Sequence, residues 1–252
     1  MNPVVSIVIV HYKVMEELFA CLESIVLSKP KTEYETIVVD NDERKTIGNE
    51  LKKRFPNIHY VKALGNIGFG AGNNLGAQYA KGEFLFFLNP DTKILPGTID
   101  SLVDFLQGNK SAAIVAPLLL DKNNKPYPLQ GTKGLTPLRG IVVLSFLNKL
   151  FPNNPISKKY WLLGWNKKST IDVDVVPGTA FVIRKEIFEE VGGFDERFFL
   201  YFEESDLCKR VKDLGYKIFI APKAGAIHFW GRSTRVFKEK SSVFAKSRFL
   251  YF

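Results

Sequence analysis

Five places along the chain combine residue types that can bind or move charge. In Val38-Val39-Asp40-Asn41-Asp42 an apolar run ends in hydrogen-bond acceptors, so Asp40 and Asn41 could read a base or a ribose. The same side chains also suit an Asx-type cap on the next turn. Gly65-Asn66-Ile67-Gly68-Phe69-Gly70-Ala71-Gly72-Asn73-Asn74-Leu75-Gly76 runs into a helix, where backbone N–H groups can approach a phosphate, or where glycines merely serve a tight turn and close packing. It is neither standard phosphate loop: the spacing does not fit G-x-G-x-x-G on the first helix, and no Gly-Lys pair occurs in the chain. Asn89-Pro90-Asp91-Thr92 sets one carboxylate on a proline-stiffened turn. Asp91 suits Mg²⁺ or Mn²⁺ bridged to substrate phosphates, because such ions keep oxygen ligands from substrate and water; a plain strand-ending turn is the alternative. Glu203-Glu204-Ser205-Asp206 follows the aromatic-rich Phe198-Phe199-Leu200-Tyr201-Phe202 and opens a helix. One of these acids could be a general base, although acids favour the first turn of any helix through its dipole and free N–H groups. His228, ending Ala226-Ile227-His228, is structural unless Asp91 holds a metal, when a neutral imidazole could complete the site.

The elements that must position these residues alternate. Strand-like runs at Val4 to Val10, Thr36 to Val39, His59 to Val61 and Phe84 to Leu88 are each followed by a helical pattern, at Met15 to Leu27, Ile47 to Phe55, Gly72 to Tyr79 and Ile99 to Leu106. Repeated β-α units predict a mostly parallel sheet flanked by helices, and the strand ends are where such sheets bind ligands. Ala112 to Ala116 is a further expected strand. From Leu118 to Thr170 the pattern loosens into turn-rich, basic sequence, with Asn123-Asn124 predicting a β-hairpin. Regular structure resumes with strands at Val173 to Val176, Ala180 to Ile183 and Lys217 to Ile220, and with helices at Lys185 to Val191 and Glu204 to Leu214.

With 46% hydrophobic and 24% charged residues, the 252-residue chain is expected to form a real core, which excludes a disordered class. Cys21 and Cys208 each lie in a helical apolar pattern without paired spacing, and read as buried free thiols in a reducing compartment. The N-terminus lacks the features of a signal peptide, so cytoplasmic placement is expected. No apolar run approaches the roughly 20 residues needed to span a bilayer. Ile141 to Leu147, between Arg139 and Lys149, suits a core helix or a segment lying in a membrane interface. The net charge of +9 fits nucleic acid, anionic lipid or phosphorylated small molecules alike. From Arg232 to Phe252, six bases (Arg232, Arg235, Lys238, Lys240, Lys246, Arg248) face one acid, Glu239, with Phe237, Phe244, Phe249 and Tyr251 between them. Such a tail could make peripheral contact with the inner face of the cell membrane.

Taken in order, Ser6-Ile7-Val8-Ile9-Val10, Val38-Val39-Asp40-Asn41, Asn66-Ile67-Gly68-Phe69, Asn73-Asn74-Leu75-Gly76, Leu88-Asn89-Pro90-Asp91-Thr92, Gly192-Gly193-Phe194-Asp195-Glu196, Phe202-Glu203-Glu204-Ser205-Asp206-Leu207 and His228 resemble glycosyltransferase family 2, with a rhamnosyltransferase-like look. The resemblance covers nearly the whole chain outside the insert. It implies the GT-A fold in a single domain over residues 1–252: a nucleotide-binding half over 1–117, a variable insert over 118–170, and an acceptor and catalytic half with the basic tail over 171–252. It further implies that Asp40 contacts the base and that the loop from Asn66 to Asn74 lies near the nucleotide. Asn89-Pro90-Asp91 stands where many relatives carry Asp-x-Asp, so Asp91 becomes the metal carboxylate and His228 the late histidine ligand for Mn²⁺ or Mg²⁺. Glu204 takes the place of the general base, with Glu203 as the alternative and Asp206 in support. The implied donor is dTDP-rhamnose, with a UDP-sugar as the other possibility. The implied acceptor is a saccharide or lipid-linked saccharide in cell-surface polysaccharide synthesis, reached by an inverting displacement, without nucleic acid as a partner. A sugar-phosphate nucleotidyltransferase and a nucleic-acid-binding module are the rival readings.

Overall fold

The computed structural model describes residues 2–43, 46–143, 145–151, 154–229 and 240–252. Of the basic tail, Arg232, Arg235, Phe237, Lys238 and Glu239 lie outside the described residues. The first strand, β1 (Val5–His11), is buried along its whole length, as a strand covered on both faces must be. It pairs in parallel with β2 (Tyr34–Asp40) and β4 (Phe84–Leu88), and β2 carries β3 (His59–Lys62) at its outer edge. Helices α1 (Met15–Leu27), α2 (Gly48–Arg54) and α3 (Phe69–Ala77) make the crossovers.

Beyond β4 the sheet becomes mixed. Strand β8 (Ala180–Arg184) runs antiparallel between β4 and β6 (Ala112–Leu120), and β6 pairs in parallel with the long β9 (Lys217–His228). The short strands β5 (Thr92–Ile94) and β7 (Ile171–Val173) both pair antiparallel with β9. The expected parallel sheet thus holds for β3-β2-β1-β4 and β6-β9, joined by an antiparallel strand. The remaining helices are α4 (Thr98–Gln107), α5 (Pro137–Val143), α6 (Phe146–Leu150), α7 (Pro155–Tyr160), α8 (Lys185–Glu190), α9 (Glu203–Asp213) and α10 (Lys240–Tyr251).

Side chains alternate across the sheet and create two cores. Val5, Ile7, Ile9, Phe84 and Phe86 pack with α1 and α4, through Leu18, Leu22, Ile25, Leu102 and Leu106. Val8, Val10, Leu85 and Phe87 face the other way, onto Phe188 of α8 and Leu207 and Val211 of α9. The period of two on the strands and the spacing Leu18, Leu22, Ile25 on α1 are what a three-layer α/β/α arrangement requires. Both cysteines are buried and free, as expected. The turn at Asn123-Asn124 also forms: Asp121 N–H donates to Lys125 O at 2.8 Å, Leu120 bridges Pro126, and Asn124 takes a left-handed φ of 60°. Ile141, by contrast, does not sit in a core helix, since it and its neighbours Leu138 and Phe146 are exposed.

Candidate active site

Because β1, β2 and β4 run in parallel, their carboxyl ends share one edge, and there the polar residues gather. Asp40 is fully buried beside its strand partner His11. Val14 N–H donates to His11 Nε2 at 3.2 Å, which leaves Nδ1 to donate to Asp40 Oδ1 at 3.1 Å. Tyr60 Oη donates to Asp40 Oδ2 at 2.7 Å and Lys62 Nζ lies 3.2 Å from it, while Asp42 N–H reaches Oδ1 at 3.1 Å. Burial alone would push the Asp40 carboxyl up, but the bonds from His11, Tyr60 and Asp42 together hold it well below the usual carboxylate range. The carboxylate that the resemblance sets at the base is thus anchored by its own protein, through His11, Tyr60 and Asp42. Its neighbour Asn41 lines a small cavity of about 110 Å³ with Tyr12, Asn66, Gly68, Asn89 and Phe199.

The glycine-rich segment approaches the rest of the protein closely. Gly68 has a φ of +95°, and a Cβ there would lie 2.6 Å from Phe199 O, so no larger residue fits. Phe69 N–H donates to Phe199 O at 2.9 Å and Gly68 N–H to Asn66 Oδ1 at 3.3 Å, so two of the amides that could have met a phosphate are used internally. Asn73 and Asn74 are likewise bonded within the protein. Asn73 Nδ2 donates to Phe69 O at 3.0 Å; Asn74 Nδ2 donates to Phe194 O at 2.9 Å, and Asn74 Oδ1 accepts from Phe194 N–H at 2.9 Å. Asn73 thus bonds back within α3 and Asn74 ties α3 to the Gly193-Phe194 turn.

A second cavity, about 520 Å³, shares Phe69, Asn89 and Leu200 with the first and brings the remaining candidates together. Asp91, His228, Glu203 and Glu204 all line it. The antiparallel pairing of β5 with β9 sets Thr92 opposite His228, which places His228 Nε2 3.4 Å from Asp91 Oδ1. Tyr127 Oη donates to His228 O at 2.8 Å and holds that strand end. Asp91 and His228 fit a divalent cation such as Mn²⁺: a buried carboxylate and a buried imidazole lie side by side at a cavity where substrate and water can supply further ligands. No group of three or more His, Cys, Asp or Glu forms a closed cage among the described residues, so a substrate would have to complete the set.

Glu203 and Glu204 begin α9 after Tyr201 and Phe202, which have left-handed φ values of 72° and 71°. Ser247 Oγ of α10 donates to Leu200 O at 2.8 Å, and the Phe244 ring packs on Tyr201 and Phe202 with centroids 5.5 and 5.4 Å away. Glu203 is buried and its Oε2 has no hydrogen-bond partner among the described residues, whereas Glu204 accepts from Ser205 Oγ at 3.1 Å. Burial, and then the charge of Glu204, raise the Glu203 carboxyl well above the ordinary glutamate range; burial also raises Glu204. Asp206 lies outside the cavity. It binds Arg210 Nε at 2.8 Å, and Arg210 Nη1 donates to Val191 O and Gly193 O at 2.6 and 2.8 Å, so the acid steadies the turn that follows α8. Tyr160 and Trp161, which also line the cavity, carry no signature in the sequence, because they come from the irregular insert.

A model of the family described as Glycosyl transferase family 2 matches residues 6–192, a span that holds the strand ends, Asp91 and most of the sheet. The chain belongs to glycosyl transferase family 2. This family 2 enzyme is similar to the N-acetylglucosaminyl-diphospho-decaprenol L-rhamnosyltransferase of Mycobacterium tuberculosis (strain CDC 1551 / Oshkosh), at 26% identity over 93% of this chain and 78% of the relative. It is also similar to rhamnosyltransferase WbbL of Escherichia coli (strain K12), at 26% identity over 98% of this chain and 92% of the relative. Its fold is that of GT-A glycosyltransferases. GalNAc-T7 with UDP, GalNAc and Mn²⁺ matches with a TM-score of 0.66 at 17% identity, over 90% of this chain and 44% of the other. The mannosyltransferase PcManGT from Pyrobaculum calidifontis with GDP-Man and Mn²⁺ matches at 0.64 and 15% identity, over 98% and 63%. The glycosyltransferase reading thus displaces both the nucleotidyltransferase and the nucleic-acid module. Among the described residues, no helix of the family 2 enzyme is long and apolar enough to cross a membrane.

Proposed function

We propose that this glycosyltransferase moves rhamnose from dTDP-rhamnose, with inversion, onto a hydroxyl of a lipid-linked saccharide. The observation that supports the mechanism is the single cavity lined by Asp91, His228, Glu203 and Glu204. The similarity to proteins named as rhamnosyltransferases supports the donor, and the decaprenol in one of their names supports the acceptor.

In this reading the nucleotide lies along the smaller cavity past Asn41, Asn66 and Asn89, with its diphosphate directed toward Asp91. A divalent cation held by Asp91 and His228 would supply positive charge to the diphosphate as it leaves. Glu204 takes the proton of the acceptor hydroxyl. The freed oxygen lone pair forms the new bond at the anomeric carbon, and the electrons of the sugar–phosphate bond depart with the diphosphate from the opposite face. Glu204 is the better placed of the two because its side chain is only partly buried at the cavity, whereas Glu203 is buried. Burial around the pair excludes water that would otherwise hydrolyse the donor.

The test is a donor panel with a polyprenyl-diphosphate-linked GlcNAc acceptor. Release of dTDP from dTDP-rhamnose with formation of an inverted product is the expected result. Transfer from UDP-glucose or UDP-galactose, with dTDP-rhamnose neither bound nor consumed, would refute the donor assignment.

A further inference from the structure

The positive charge of the protein is not spread over its surface. Residues 122–171 carry nine Lys and Arg and no acid, and residues 240–252 carry three more bases and again no acid. Those twelve charges exceed the chain's net +9 by three, so everything outside the two segments is net acidic by three. The same two segments meet in space: α5 and α10 enclose an open groove of about 640 Å³ between Gly140 and Ile141 on one side and Arg248 and Phe249 on the other.

They also carry an unusual share of the exposed apolar surface. Leu138, Ile141, Phe146, Leu150 and Phe151 are each between 61% and 68% exposed, and Phe249 is 88% exposed. Apolar side chains this large, clustered on short helices, mark an interaction surface rather than the scattered background of a soluble domain. Lys158, Lys159, Lys246 and Arg248 are exposed on the same two segments. Bulky aliphatic and phenyl groups among lysines and arginines, without a carboxylate between them, complement a lipid layer with an anionic surface: the rings enter the acyl boundary and the bases meet the headgroups.

We infer that the α5–α6 segment and α10 together form a docking face for an anionic lipid bilayer. The face adjoins the active site, because Phe244, one helical turn before Arg248 on α10, lines the large cavity. Docking therefore brings the cavity close to the membrane surface. The inference stands on charge and exposure and is independent of the donor and acceptor reading.

Cosedimentation with vesicles tests it, using equal parts phosphatidylglycerol and phosphatidylcholine against phosphatidylcholine alone. The wild type should bind the anionic vesicles, bind the neutral ones far more weakly, and lose affinity as salt is raised. The double variant Ile141→Ser/Phe249→Ser should partition about tenfold less, since both side chains are exposed and their loss leaves the fold intact. Lys246→Glu/Arg248→Glu should weaken binding about fivefold or more per base. Unchanged thermal unfolding and nucleotide binding serve as folding controls for both variants. No binding to anionic vesicles, or binding that both variants retain in full, would overturn the inference. So would a wild-type dimer in sedimentation velocity that the serine variant makes monomeric while vesicle binding stays absent, because a second copy would then cover this face.

Discussion

Glu203 and Glu204 are adjacent in the chain, yet their surroundings separate their roles. Glu203 is buried with an oxygen that has no hydrogen-bond partner among the described residues, and Glu204 accepts from Ser205. Because burial raises both carboxyls, the base is protonated at a higher pH than an ordinary glutamate near 4.3. The acidic limb of kcat/KM should therefore lie clearly above about pH 4.3, and a limb at or below it would contradict Glu204 as the base. Glu204→Gln should lower kcat by about 10²- to 10⁴-fold with little change in donor KM, whereas equal activity would transfer the role to Glu203. Asp40 shows the opposite shift. Its folded pKa is depressed, so its contribution to stability is complete above its unfolded value of about 3.9 and is lost as pH falls through the folded one. Asp40→Asn should cost about 1–3 kcal/mol in urea unfolding at pH 7, and the gap to wild type should narrow below about pH 4. At this scale the sequence marks Asp91, His228 and the Glu203-Glu204 pair, which the structure brings to one cavity. It does not disclose the internal bonds of Asp40, Asn73 and Asn74, because an Asp or Asn side chain serves equally to bond a ligand or the protein, and partners such as His11, Tyr60 and Phe194 are brought near only by the fold.

Elements hold these side chains by strain and close approach. Two successive aromatic residues with positive φ precede α9, and such backbone costs about 1–3 kcal/mol per residue unless its surroundings impose it. Here α10 imposes it, through Phe244 stacked on Tyr201 and Phe202 and through Ser247 on Leu200. Phe244→Ala should let the turn relax and shift Glu204, lowering transfer about 10- to 100-fold while nucleotide binding is kept; loss of both together would show that α10 supports the whole fold instead. On the other face of the site, α3 lies so close to β1 that a Cβ at Gly76 would meet Val8 Cγ1 at 2.4 Å. Val8 is buried and β-branched and cannot give way, so Gly76→Ala should destabilise the protein by about 1–3 kcal/mol in urea unfolding. Periodicity discloses the long elements well: Met15 to Leu27 is read with the bounds of α1, and Phe84 to Leu88 with those of β4. It is silent on β5, whose three residues are too few for alternation to show, and it stops β9 at Ile220 where the strand continues to His228. That continuation matters, since the pairing of β5 with β9 is what brings His228 to Asp91.

For the whole molecule, the mixed sheet joins a parallel half that ends in Asp40, Asn41 and Asn89 to a second half that supplies His228 and, through α9, the two glutamates. Both cavities meet where β4 adjoins β8, at Asn89, whose N–H donates to Thr179 O at 2.8 Å. The order of short motifs along the chain makes this plan legible, while the antiparallel β8 and the aromatic cavity wall from the insert are not, because neither has a local pattern that fixes its tertiary partner. The central claim is that a nucleoside diphosphate binds at the strand ends with a divalent cation held by Asp91. Calorimetric titration with dTDP, UDP and GDP, each with Mn²⁺ or with EDTA, tests this without an acceptor. The expected result is binding of dTDP in Mn²⁺ that EDTA abolishes and Asp91→Ala removes, in a variant whose thermal unfolding matches wild type; binding of none of the three, or equal binding in EDTA and in Asp91→Ala, would contradict it.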